Sequence, residues 1–151
     1  MKSGILPLSL LTALLIQSCG GPSGRSTIQG TITGAEEILV ARVGTERLEY
    51  LDTLTTTNGS FEYIPASSGE VDIYMIEGMG AFRLSLLLSP GEQIEVQGDA
   101  SQPSYTFKVS GSEDSERLMG VNQKMGALIE LMDSLDAVNT KQMQSEDYPK
   151  I

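Results

Sequence analysis

The sequence predicts a mainly β fold: an antiparallel β-sandwich of about eight short strands followed by a C-terminal amphipathic α-helix. Three observations predict it. Between residues 27 and 109, short runs of β-branched and aromatic residues alternate apolar with polar positions. Turn chemistry, notably Asn58-Gly59 and Ser89-Pro90-Gly91-Glu92, separates those runs. After Gly111-Ser112 the apolar spacing changes to three and four and keeps that rhythm for nearly three heptads.

Ahead of the strands lies a leader. Lys2 precedes Ile5 to Ile16, an apolar run of twelve residues that ends in Gln17-Ser18-Cys19. Twelve residues rise roughly 18 Å as a helix, short of a ~30 Å hydrocarbon slab, so the run reads as a signal-peptide core and not as a membrane span. A small residue directly before Cys19 resembles the lipobox of bacterial lipoproteins. That resemblance implies that residues 1–18 are removed and that the Cys19 thiol carries a diacylglyceryl group. The expected partner of the N-terminus is therefore a membrane, through its lipid, with the folded part facing the periplasm of the cell envelope. Two or more acyl chains hold a protein on a bilayer where one does so only marginally. Gly20 to Ser26 then reads as a flexible tether, giving residues 19–26 as the link to the first strand.

The strands follow in order. Thr27 to Thr33 places Ile28, Gly30 and Ile32 on one face, and Ile38 to Val43 reads as a buried strand. Tyr50 to Thr56 and Ser60 to Ile64 flank Asn58-Gly59, whose tolerance of positive φ predicts a tight hairpin between them. Val71 to Ile76 comes next. In Ala81 to Leu88 both faces carry leucine, the expectation for the most central strand. Pro90 and Gly91 supply the two corners of a turn into Gln93 to Gln97, and Tyr105 to Val109 alternates cleanly. The sandwich thus spans 27–111, the connector helix 112–143 and a polar tail 144–151.

Ser112 is placed to cap the helix, and Glu113, Asp114 and Glu116 put negative charge on the positive end of its dipole. Those carboxylates lack the spacing of a calcium loop. Leu118, Val121, Met125, Leu128, Met132 and Leu135 form the apolar seam, broadened by Ile129 and Leu131. The seam reads as a face covering one end of the sandwich, with a partner-binding or dimerising helix as the alternative. An acidic polar face argues against a membrane-surface helix.

Composition restricts function. The chain has 151 residues, no His, no Trp and one Cys. A Ser-His-Asp or Cys-His nucleophile, a C-x-x-C pair and a His- or Cys-based metal site are therefore all excluded within it. No catalytic residue, metal or other cofactor is expected. Of 10 basic and 20 acidic residues the leader takes only Lys2, leaving 133 residues with a side-chain charge of −11. Nucleic acid is not an expected partner, since no cluster of Lys and Arg is present to release counterions.

Three further motifs carry a resemblance. Ile28-x-Gly30-x-Ile32-x-Gly34, Asn58-Gly59-Ser60-Phe61-Glu62-Tyr63, and the run from Leu86 through Ser89-Pro90-Gly91-Glu92 to Gly98-Asp99 with Val109-Ser110-Gly111-Ser112 occur in the order of one family. They resemble the N-terminal accessory domain, of unknown function, of lipid-anchored thioredoxin-like thiol-disulfide oxidoreductases of Gram-negative bacteria. The resemblance implies a β accessory domain, a helical connector and a following thioredoxin-like domain with C-x-x-C. No position here matches those cysteines. Two readings stay open: a spacer or protein-interaction lipoprotein, or the N-terminal fragment of such an oxidoreductase. Asp52-Thr53-Leu54 and Asp133-Ser134-Leu135 also resemble the acceptor motif for O-glycosylation of exported proteins in some Gram-negative anaerobes, making Thr53 and Ser134 candidate modification sites.

Overall fold

The computed structural model describes residues 24–66, 68–78, 80 and 82–144. Eight strands form two four-stranded sheets: β1 (Thr27–Thr33), β2 (Glu37–Val43), β3 (Leu48–Thr55), β4 (Ser60–Tyr63), β5 (Asp72–Gly78), β6 (Phe82–Leu88), β7 (Gln93–Asp99) and β8 (Lys108–Ser110). One sheet runs β4-β1-β7-β8 and the other β3-β2-β5-β6, and a helix, α1 (Glu113–Met143), follows. The chain is mainly β, as its alternation predicts.

Alternation explains the core. Ile28 and Ile32 of β1, Ile38 and Val40 of β2, and Ile94 and Val96 of β7 are fully buried in one cluster that both sheets share. In β6, Phe82, Leu84, Leu86 and Leu88 point into the same cluster while Arg83 points out. A shift of register between Val40 and Ala41 in the β2–β3 ladder accompanies burial of both neighbouring residues. Phe107 is fully buried, its ring 5.3 Å from that of Phe82, and a side chain at Gly98 would come within 2.6 Å of that Phe107 ring. All pairings are antiparallel except β1 with β7, which run parallel in register from Thr27 opposite Gln93 to Thr33 opposite Asp99.

Four local expectations need correction. Asn58 (φ 53°) and Gly59 (φ 80°) do form a tight turn, closed by Thr57 N–H to Ser60 O at 3.1 Å and the reverse bond at 3.0 Å. Beyond that single bridge, however, the flanking strands separate: β3 pairs with β2, and β4 crosses to pair with β1 in the other sheet. The turn is thus a corner joining the sheets. Second, β6 is an edge strand and not a central one. On its free edge the backbone N–H and carbonyl of Leu87 bond serine side chains at the start of α1. Third, the predicted strand at 105–109 begins as a 3₁₀ turn, η1 (Ser104–Thr106), so β8 keeps only three residues. The fourth concerns the face that α1 buries.

The turn between β6 and β7 follows its chemistry and adds to it. Gly91 takes φ 83°, and Glu92 N–H reaches Ser89 O at 3.1 Å. The Glu92 carboxylate accepts the Ser89 N–H at 2.8 Å, and Ser26 Oγ accepts the Gly91 N–H at 2.8 Å while donating to Ser89 O at 3.2 Å. The entering chain is pinned there just before β1 starts.

Candidate functional site

Serine hydroxyls fix the start of α1. Ser112 caps it, accepting the Ser115 N–H at 3.4 Å and donating to Leu87 O at 3.0 Å. Ser115, 1 % exposed, accepts the Leu87 N–H and donates to Leu87 O, both at 2.8 Å. Two side chains thereby take the place of the strand that β6 lacks on its free edge. Arg83 N–H, further along the same edge, donates to Ser104 Oγ at 3.3 Å.

From there α1 closes the opening between β6 and β8, and it does so with an unexpected face. The residues that turn toward the sandwich are Ser115, Met119, Asn122 and Gly126, and Met119 reaches the shared core. Any side chain at Gly126 would collide with the Tyr105 ring, so glycine there allows close approach. The last contact is the Tyr105 hydroxyl donating to Glu130 at 2.8 Å, a bond to a carboxylate that holds the phenol above its ordinary pKa.

The predicted seam lies roughly 100° around the axis from that face. It does not pack on the sandwich. Val121, Met125, Leu128, Met132 and Leu135 are 50 to 59 % exposed, and so are the flanking Ile129, Leu131, Val138 and Met143. The expectation of a core-facing seam is overturned because a row of small, polar and flexible side chains sits closer to β6 and η1 than a leucine row could.

The other predicted residues are not brought together. Cys19 lies outside the described residues. Thr53 is exposed on the edge strand β3, where its N–H donates to Asp52 Oδ1 at 2.8 Å. Ser134 is exposed on α1 and its hydroxyl donates to Leu131 O at 2.7 Å. The two stand on elements at opposite lateral sides of the β3-β2-β5-β6 sheet.

A cleft of about 420 Å³ opens at one end of the sandwich, between Gly34, Ala35, Glu36, Glu37, Thr55, Gly78, Phe82 and Ala100. It pairs buried Ala35 and Phe82 with two exposed carboxylates, Glu36 and Glu37, the latter opposite Thr55 in the β2–β3 ladder. Among the described residues no three His, Cys, Asp or Glu side chains converge as a metal site, and every buried side-chain nitrogen or oxygen has a hydrogen-bond partner. Perturbed groups elsewhere have local causes. The Arg42 guanidinium bonds Glu49 at 2.8 Å, which lowers the carboxyl pKa and raises that of the guanidinium. Burial raises the Tyr63 and Tyr74 phenols, whose rings pack edge-on at 6.2 Å.

No helix among the described residues is long and apolar enough to cross a membrane. No family model, curated protein or solved structure matches the chain.

Proposed function

We propose that this chain is a non-catalytic lipoprotein of the cell envelope, held to a membrane through Cys19 and acting as a spacer or protein-interaction module. The observation that carries the reading is the position of the only cysteine: it stands three residues past the end of the Ile5 to Ile16 apolar run, directly after Ser18, and precedes a Gly/Pro/Ser tether. Six residues, seven Cα–Cα steps, separate Cys19 from Ser26, where hydrogen bonds first pin the chain to the sandwich. That link spans at most about 25 Å when extended, enough to stand a folded domain off the lipid headgroups. An apolar helix face turned to solvent supports the interaction role, since exposed patches of this size mark binding surfaces.

The test is fractionation of cells producing the full chain or Cys19→Ser. The full chain should sediment with membranes and enter the detergent phase, and Cys19→Ser should not. Equal partition of the two would overturn the reading. A second reading makes the chain the anchor and spacer of a thiol-disulfide oxidoreductase with a thioredoxin-like domain downstream. It rests on the Pro90-Gly91-Glu92 and Gly111-Ser112 motifs, and a coding sequence that continues into C-x-x-C would favour it.

A further inference from the structure

Among the described residues the α1 seam is an apolar surface that the sandwich leaves uncovered, and we propose that its occupant is a second copy of this chain. The helices of two copies pack lengthwise along Leu118, Val121, Met125, Leu128, Met132 and Leu135. This inference deepens the interaction-module reading and rests on it, naming the partner.

Periodicity is the first argument. These residues alternate steps of three and four, the spacing that keeps one helix in contact with another along its whole length. With Leu118 at position a of a heptad, every one of the nine exposed large apolar residues of α1 falls at a, d, e or g, and none at b, c or f. Those outer positions hold Gln123, Glu130, Asp133, Ser134 and Lys141.

Area is the second. The nine side chains expose on the order of 800 Å² per helix, the share that each partner contributes to a standard stable interface. From Val121 to Met143 they extend about 33 Å along the axis. The chain's own sandwich cannot cover them, because it already holds the Ser115, Met119 and Gly126 face.

Charge is the third. The chain carries a net −10, so two copies repel unless their acidic groups stay apart. Glu130 and Asp133 lie on the far side, and Lys124 and Asp136 are the only charged residues at e and g between 118 and 143. The seam also meets itself with like residues, as a two-fold interface requires.

The experiment is density-matched sedimentation equilibrium of the full chain in mild detergent at micromolar concentration, beside Leu128→Glu/Leu135→Glu and the outer-face Ala137→Glu. The full chain and Ala137→Glu should show twice the chain mass or a larger closed oligomer. The double variant should be monomeric with an unchanged thermal transition of the sandwich, which none of the substituted side chains touches. A monomeric wild-type chain would overturn the proposal. So would association that survives the double substitution, or a wild-type chain that is monomeric until another envelope protein binds. Membrane partition separates this from anchoring: a membrane-bound monomer defeats self-association alone, and an oligomer that leaves the membrane defeats anchoring alone.

Discussion

Ser115→Ala removes one oxygen from the junction on which the placement of α1 depends. The lost hydroxyl serves Leu87 twice, accepting its N–H and donating to its carbonyl, both at 2.8 Å. The two losses are unequal. Leu87 O keeps the Ser112 hydroxyl at 3.0 Å, but the Leu87 N–H is left facing a methyl group. Leaving a buried donor unsatisfied costs about 1–3 kcal/mol, and a half-buried edge strand belongs in the lower part, about 1–2 kcal/mol. In a domain of this size that lowers the melting temperature by about 4–8 °C. Ser112→Ala is the control, because it removes the helix cap at a cost of ~1 kcal/mol yet keeps the Leu87 N–H paired. Amide hydrogen exchange then discriminates between them: Leu87 should lose protection in Ser115→Ala and retain it in Ser112→Ala. Equal protection of Leu87 in both variants, or a Ser115→Ala protein that melts with the wild type, would refute the edge-closing role.

Further outcomes follow from packing, backbone and charge. Phe107→Ala empties a fully buried site against Phe82 and should cost about 3–5 kcal/mol, read as a fall in urea midpoint. Gly59→Ala and Gly69→Ala both force alanine to positive φ, but a side chain at Gly59 collides with the Ile32 carbonyl whereas Gly69 has nothing within 4 Å. Gly69→Ala should therefore lose about 1 kcal/mol and Gly59→Ala clearly more, compared by thermal melts. The Asp99 carboxylate accepts from the Ser101 hydroxyl at 2.7 Å and its N–H at 2.8 Å, which holds its pKa below the ordinary value. A depressed folded-state pKa contributes stability above the unfolded value, about 3.9, and loses it as pH falls through the folded one. Asp99→Asn should accordingly flatten the acid limb of a urea-midpoint-versus-pH curve below about pH 4, and an unchanged limb would count against it.

The strands were legible because alternation reports burial directly. Ile28, Ile32, Ile94 and Val96 sit where the period-2 pattern places them. Neighbour relations were not, since alternation says which face is buried and nothing about which strand lies alongside. Hence the Asn58-Gly59 turn was readable, while the divergence of β3 and β4 into separate sheets and the parallel β1–β7 pair were not. Leu87 misled for a related reason: leucine on both faces of a strand reads as a central position, whereas β6 is an edge strand whose Leu87 N–H and carbonyl are taken by the Ser112 and Ser115 hydroxyls at the start of α1. For α1 the largest apolar stripe pointed away from the true contact. Ser115 and Gly126 were the readable trace of that contact, a buried hydroxyl and a missing side chain at helical spacing. The Pro90-Gly91-Glu92 and Gly111-Ser112 motifs proved to be turn and cap chemistry, which gives them a structural reason independent of any resemblance.

Anchoring is tested most directly by the intact mass of the full-length gene product purified from membranes. Anchoring through Cys19 requires a polypeptide that begins at Cys19 and carries a thioether-linked diacylglyceryl group, with no free thiol remaining. A chain that begins elsewhere, or one whose Cys19 reacts with a thiol reagent, would contradict it.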